Sequence, residues 1–315
     1  MTIGVDLLQE TRAFNEGLRA LIETLPAIET VPVEATRLSR YEAGGIFPPP
    51  AFVDDARWVD IPSRGGGLRA RVLAPEGEAL GVFVHIHGGG WTIGAADQQD
   101  VPLQQLARDT QLVVASIEYR LAPEHPYPAA LDDCEDAALW LLDGGAQQLG
   151  APAALSIGGE SAGAHLSVTT LLRLRDRHGA AGAFRAANLV YGAFDLSGTP
   201  SRRQTVDPIL LTDPGMRWFT ENFLPGLDDE QRRDPAISPL FADLAGLPPA
   251  LFTIGTADPL LDDTLFMAAR WEAAGNEAEL LVYAGGIHAF NAFPIGIGLA
   301  ANLAQTEFLR AAFAD

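Results

Sequence analysis

The chain has 315 residues, 48% of them hydrophobic, which is enough for a large core and suits one α/β domain carrying a lid. A formal net charge of −20 argues against nucleic-acid binding, which needs clustered lysine and arginine, and disfavours anionic membrane surfaces. Cys134 is the only cysteine and sits between acidic neighbours, so it reads as structural, with no intramolecular disulfide or thiolate metal site.

The opening Met1-Thr2-Ile3-Gly4-Val5-Asp6 lacks a basic stretch followed by an apolar one. No run of about 18 apolar residues follows, so a cytoplasmic protein with no membrane span is expected. Leu7, Leu8, Phe14, Leu18, Leu21 and Ile22 recur at helical spacing and predict an amphipathic helix over 5–24. With the Pro-rich stretch through Phe47-Pro48-Pro49-Pro50, residues 1–50 are expected to form part of a cap over the active site. Residues 51–315 then form the catalytic domain. A hairpin-like pair is expected at 57–62 and 68–74, joined at Gly65-Gly66-Gly67. Strands at 81–87, 112–117, 153–158, about 187–192, 250–255 and 279–283 alternate with helical stretches. That alternation predicts an α/β fold, a mostly parallel sheet with helices on both faces. The stretch 196–240 breaks the pattern and reads as an insertion, either a surface helical excursion or a segment whose Met216, Trp218, Phe219, Phe223 and Leu224 wall a pocket.

Three motifs carry chemistry. Gly159-Glu160-Ser161-Ala162-Gly163 follows a small-residue strand and precedes a helix-forming run. This is the pattern of a nucleophile elbow, in which a sharp strand-to-helix turn exposes a strained serine hydroxyl. His87-Gly88-Gly89-Gly90-Trp91 ends an apolar strand and presents backbone N–H groups that no side chain screens. Gly89 and Gly90, with Ala162 just after the serine and Gly88 as a substitute, are the candidate oxyanion donors. No Lys-Ser/Thr follows the glycines, so the phosphate-loop reading fails. Downstream, Asp258 and His288 each follow an apolar strand. Serine, acid, histidine is the chain order of an α/β-hydrolase triad. Asp262 and Asp263 compete with Asp258 for the acid role, but their place at a helix start favours a dipole role. No histidine pair has zinc-ligand spacing, and neither metal nor cofactor is expected.

These residues resemble the hormone-sensitive-lipase-like esterases of the α/β-hydrolase fold. The likeness runs from about residue 57 to the C-terminus. It rests on the oxyanion and nucleophile motifs, on Tyr119-Arg120-Leu121-Ala122-Pro123-Glu124-His125-Pro126-Tyr127-Pro128-Ala129, and on Asp258-Pro259-Leu260 and His288-Ala289-Phe290. The chain carries Glu160 where many members have Asp, His165 where Asn is common, Ala289 where Gly is usual, and Tyr191-Gly192 where a proline often sits. The resemblance implies a serine carboxylesterase acting on small-molecule esters of short to medium acyl chain through an acyl-enzyme, with a second cap piece at the 196–240 insertion.

An amidase or peptidase would use the same triad. A ligand receptor of this fold would have lost part of it. Trp91, Glu160, Trp218, Phe219 and Phe290 are the candidate pocket residues. For Trp91 the alternative is packing beneath the loop, and for Glu160 a plain helix-start carboxylate. Homodimerisation through an edge strand or a surface helix would be common for such a protein, although no residue marks it.

Overall fold

The computed structural model describes residues 3–42, 45–204 and 208–314. Residues 1, 2, 43 and 44 of the expected N-terminal segment, and 205–207 of the expected insertion, lie outside that set. Eight strands form one sheet in the order β1-β2-β4-β3-β5-β6-β7-β8. They are β1 (Arg57–Asp60), β2 (Arg69–Leu73), β3 (Gly81–Ile86), β4 (Leu112–Ile117), β5 (Leu155–Glu160), β6 (Phe184–Val190), β7 (Ala250–Gly255) and β8 (Ala278–Tyr283). β2 pairs antiparallel with both β1 and β4, and the other neighbours run parallel. The expected strand 187–192 begins earlier, at Phe184, and ends at Val190.

The sheet is buried on both faces because its central strands are apolar at successive positions, as parallel strands covered by helices must be. Val82, Val84 and Ile86 of β3 point to one side with Val113, Ala115 and Ile117 of β4. There they meet the helices Ala129–Trp140, Ala162–His178 and Leu261–Ala273. Phe83, Leu112 and Val114 point to the other side and pack on Leu103 and Ala107 of Asp100–Thr110 and on Leu309 of Gly296–Ala312. The period of two along each strand divides the core into these two layers.

The N-terminal helix spans Ile3–Ile22. Leu7, Phe14, Leu18 and Ile22 pack inward, against a cluster that includes Ile254, Ile287 and Phe293, whereas Leu8 and Leu21 of the same apolar pattern are exposed. A shorter helix, Val33–Ser39, is tied down by Arg37. Its guanidinium donates to the carbonyls of Thr92 and Ala122 (both 2.8 Å) and to the carboxylate of Glu124.

Within 196–240, the helix Asp213–Phe223 starts at Thr212, whose hydroxyl accepts from Gly215 N–H, and buries Met216, Phe219 and Phe223. Phe223 and Leu224 join the main core. Where the chain enters this stretch it is anchored by carboxylates. Asp263 accepts from the N–H groups of Phe194 and Asp195, and Asp262 from that of Ser201.

Candidate active site

Four of the parallel strands end at the same edge of the sheet, and each delivers one piece of the site, as expected for open α/β sheets. β3 runs into the glycine loop, β5 into Ser161, and the segments after β7 and β8 carry Asp258 and His288.

The turn at Ser161 is tight enough to dictate its flanking residues. Ser161 takes φ 56° and ψ −116°, a conformation costly for any residue with a side chain and typical of functional sites. A Cβ on Gly159 would lie 1.9 Å from the carbonyl oxygen of Ile86, and one on Gly163 1.8 Å from the same atom. Both glycines are therefore demanded by the close approach of β5 and its following helix to β3. Ser161 N–H donates to Val190 O at 2.9 Å, holding the turn against β6.

His288 Nε2 lies 3.0 Å from Ser161 Oγ, and His288 Nδ1 lies 2.8 Å from Asp258 Oδ2. Asp258 is buried, and its second oxygen accepts from Leu260 N–H at 2.8 Å. The carboxylate therefore has one oxygen pinned by its own loop and the other turned to the imidazole. Asp262 and Asp263 do not reach His288. They lie in the first turn of Leu261–Ala273 and bind backbone N–H groups of 194–201. Burial, the largest influence on Asp263, raises its pKa to about 7 against the lowering effect of those hydrogen bonds. The aromatic ring of Tyr191, at the end of β6, sits 4.8 Å from the imidazole of His288.

The glycine loop reaches the nucleophile through its backbone. A Cβ on Gly88 would lie 3.6 Å from Ser161 Cβ, while Gly89 and Gly90 take φ of 114° and 57°. Among the described residues, the N–H groups of Gly89, Gly90 and Ala162 have no hydrogen-bond acceptor. His87 braces the loop, with Nδ1 2.8 Å from Gly88 O and its ring stacked on Tyr119 at 4.2 Å.

The candidate pocket residues separate. Phe219 fills the space where Gly90 would carry a side chain, and Trp218 is half-buried with its ring edge-on to Phe219. Trp91 departs from the pocket reading. Its side chain is buried beneath the loop, stacked on Phe223 at 4.6 Å. Its backbone takes a positive φ of 57°. Phe290 is likewise fully buried, packed against Tyr283 and Tyr191, so it supports the histidine loop from within.

Glu160 keeps 19% of its side chain exposed, and its Oε2 lies 3.2 Å from His85 Nε2. Burial pushes this carboxyl up, but interaction with His85 and the Gln99 amide more than offsets it, leaving the pKa below the usual value. His85 Nδ1 in turn meets Ser116 Oγ at 2.9 Å. Alternation along β3 places His85 in the interior, but its pairing with a residue 75 positions away has no local signal.

A cavity of about 570 Å³ opens beside Asp258, lined among others by Arg12, Asn15, Arg19, Ser201 and Ile209. It lies between the N-terminal helix and the segment after β7. None of the five candidate pocket residues lines it.

His87 and His165 are buried, and burial, the largest cause, lowers each pKa to about 4. In the unfolded chain both should titrate near 6.5. Between these values the unfolded state binds more protons, so stability rises with pH across the window. It is fully present above about 6.5 and falls, by roughly 3 kcal/mol per histidine, as pH drops to about 4. The stability difference between wild type and His165→Asn, from urea unfolding, should therefore shrink as pH falls from 7 to 4.5. A difference independent of pH would show that His165 titrates normally in the folded protein.

Residues 83–292 match a protein family described by the alpha/beta hydrolase fold. The chain is 36% identical over 263 residues to the carboxylic ester hydrolase LipN of Mycobacterium tuberculosis, covering 81% of this chain and 70% of LipN. It is 32% identical over 292 residues to the carboxylesterase NlhH of the same species, covering 90% and 91%. Among solved structures, the hyperthermophilic esterase of the archaeon Pyrobaculum calidifontis superposes with a TM-score of 0.85 at 32% identity, covering 96% of this chain and 98% of that one. The chain belongs to the α/β-hydrolase family. Within it, the chain is one of the hormone-sensitive-lipase-like esterases.

Proposed function

We propose that this protein is a serine carboxylesterase that hydrolyses small esters of short to medium acyl chain through an acyl-enzyme. The observation that carries the reading is the unbroken line from Ser161 Oγ through His288 to Asp258, at 3.0 and 2.8 Å, beside three backbone donors with no acceptor among the described residues. Ser161 Oγ attacks the ester carbonyl carbon while His288 Nε2 takes its proton. The carbonyl π electrons move onto oxygen, and the N–H groups of Gly89, Gly90 and Ala162 receive that charge. As the tetrahedral centre collapses, the C–O bond to the alcohol breaks and His288 returns the proton to the departing oxygen. Water then repeats the sequence on the acyl-enzyme and releases the acid. Asp258 fixes His288 in the tautomer that leaves Nε2 free to accept.

The N-terminal segment and the 196–240 stretch act in this reading as two pieces of a cap. Their support is the packing of Phe219 on Gly90 and the clamp of Arg37 on Thr92, just past the glycine loop, and on Ala122, past β4. A p-nitrophenyl ester series from acetate to palmitate should show turnover concentrated at acetate to hexanoate and falling beyond. Equal turnover of palmitate would remove the short-chain reading. An anilide turned over as fast as its matched ester would favour the amidase.

A further inference from the structure

His165 stands one helical turn after the nucleophile, and its backbone N–H donates to Ser161 O at 3.2 Å. Its ring is fully buried and joins two distant parts of the chain. Nε2 lies 2.7 Å from the carbonyl oxygen of Ile237, and Nδ1 lies 3.1 Å from the indole Nε1 of Trp91. A carbonyl oxygen can only accept and an indole N–H can only donate. The proton must therefore sit on Nε2, leaving Nδ1 bare as the acceptor for Trp91. No other tautomer satisfies both partners, and a second proton on the ring would face the indole N–H.

Trp91 follows Gly90 directly, so whatever holds the indole also holds the peptide units that carry the candidate oxyanion donors. The rest of the loop is fixed by its own backbone. Ile93 N–H donates to Gly89 O, Thr92 Oγ1 to Gly90 O, and Ala122 N–H to Trp91 O. These bonds shape the loop but do not set its distance from the helix that starts at Ser161. The ring of His165 spans that gap. Stacking of Trp91 on Phe223 holds the indole plane without fixing its rotation in that plane, whereas the hydrogen bond to Nδ1 does.

We propose that His165 is a positioning residue for ester hydrolysis, acting through Trp91 to hold the Gly89 and Gly90 donors in register with the nucleophile. This inference rests on the oxyanion role given above to those glycines.

The test compares an oxygen ester with its matched thionoester, whose sulfur accepts hydrogen bonds poorly, both rates being normalised to reaction with hydroxide. Wild type should prefer the oxygen ester by more than about tenfold. His165→Phe should lower kcat on the oxygen ester about 10- to 100-fold with KM nearly unchanged, and spare the thionoester, so that the preference collapses. Trp91→Phe keeps a ring on Phe223 but lacks the N–H, and should reproduce the loss even if His165→Phe folds poorly. The double variant should be no slower than either single one, since both break one link. His165→Asn, whose amide oxygen can replace Nδ1 as acceptor, should restore most of kcat. A wild-type preference that survives in both single variants overturns the proposal, as do losses that multiply in the double variant. A wild-type preference near one would overturn the oxyanion reading itself, and this inference with it.

Discussion

Replacing Ser161 with alanine is expected to lower kcat on p-nitrophenyl butyrate by about a million-fold while leaving the fold intact. The hydroxyl is the only group removed, and its one side-chain hydrogen bond among the described residues is to His288. Removing the nucleophile of a Ser-His-Asp triad costs on that order, the remaining rate coming from oxyanion donors and binding alone. The melting temperature should stay within a few degrees, because no core contact is lost and the strained backbone at φ 56° is unchanged. Turnover within tenfold of wild type in the purified variant would mean that another group attacks the ester.

Asp258→Asn is expected to cost about ten thousand-fold in kcat with little change in KM. The geometry specifies how the amide would sit. Leu260 N–H donates to one carboxylate oxygen at 2.8 Å, so that position must remain an acceptor and become the amide oxygen. The NH2 group is then directed at His288 Nδ1, where it donates. The imidazole proton moves to Nε2, facing Ser161 Oγ, and the histidine can no longer accept the serine proton. Asp262→Asn serves as the control, because its carboxylate binds Ser201 N–H instead, and kcat should change less than about tenfold. The reverse ranking of the two variants would move the acid role away from Asp258.

Much of this arrangement was legible because the relevant constraints are local. Gly159 and Gly163 flank the serine where the turn leaves no room for a Cβ, and a three-glycine loop after an apolar strand exposes backbone donors wherever it occurs. Strand positions read from apolar runs fell within a few residues, with β6 starting early at Phe184 because Arg185 and Ala186 carry little strand signal. The N-terminal helix was visible from its period, yet which of its leucines pack inward was not. Leu8 and Leu21 belong to the same pattern as Leu7 and Leu18 but lie off the buried stripe. Trp91 and Phe290 stand beside the glycine-loop and histidine motifs, and for Trp91 that place suits either a pocket wall or packing beneath the loop. Adjacency in sequence does not say which way a side chain turns, and both rings are buried.

The sequence by itself determined the fold class, the strand alternation, the family resemblance and a short list of candidate reacting groups. Each of these depends on residue type at fixed spacing. Only the tertiary structure shows which of Asp258, Asp262 and Asp263 meets His288, because that depends on which carboxylate reaches an imidazole 30 residues further along. It alone decided the partner of Glu160 and the proton position on His165, whose carbonyl acceptor lies 72 residues away. Periodicity and motif spacing report what a segment prefers. Hydrogen bonds between segments far apart in the chain are set when the sheet assembles, and with them the partners of these side chains.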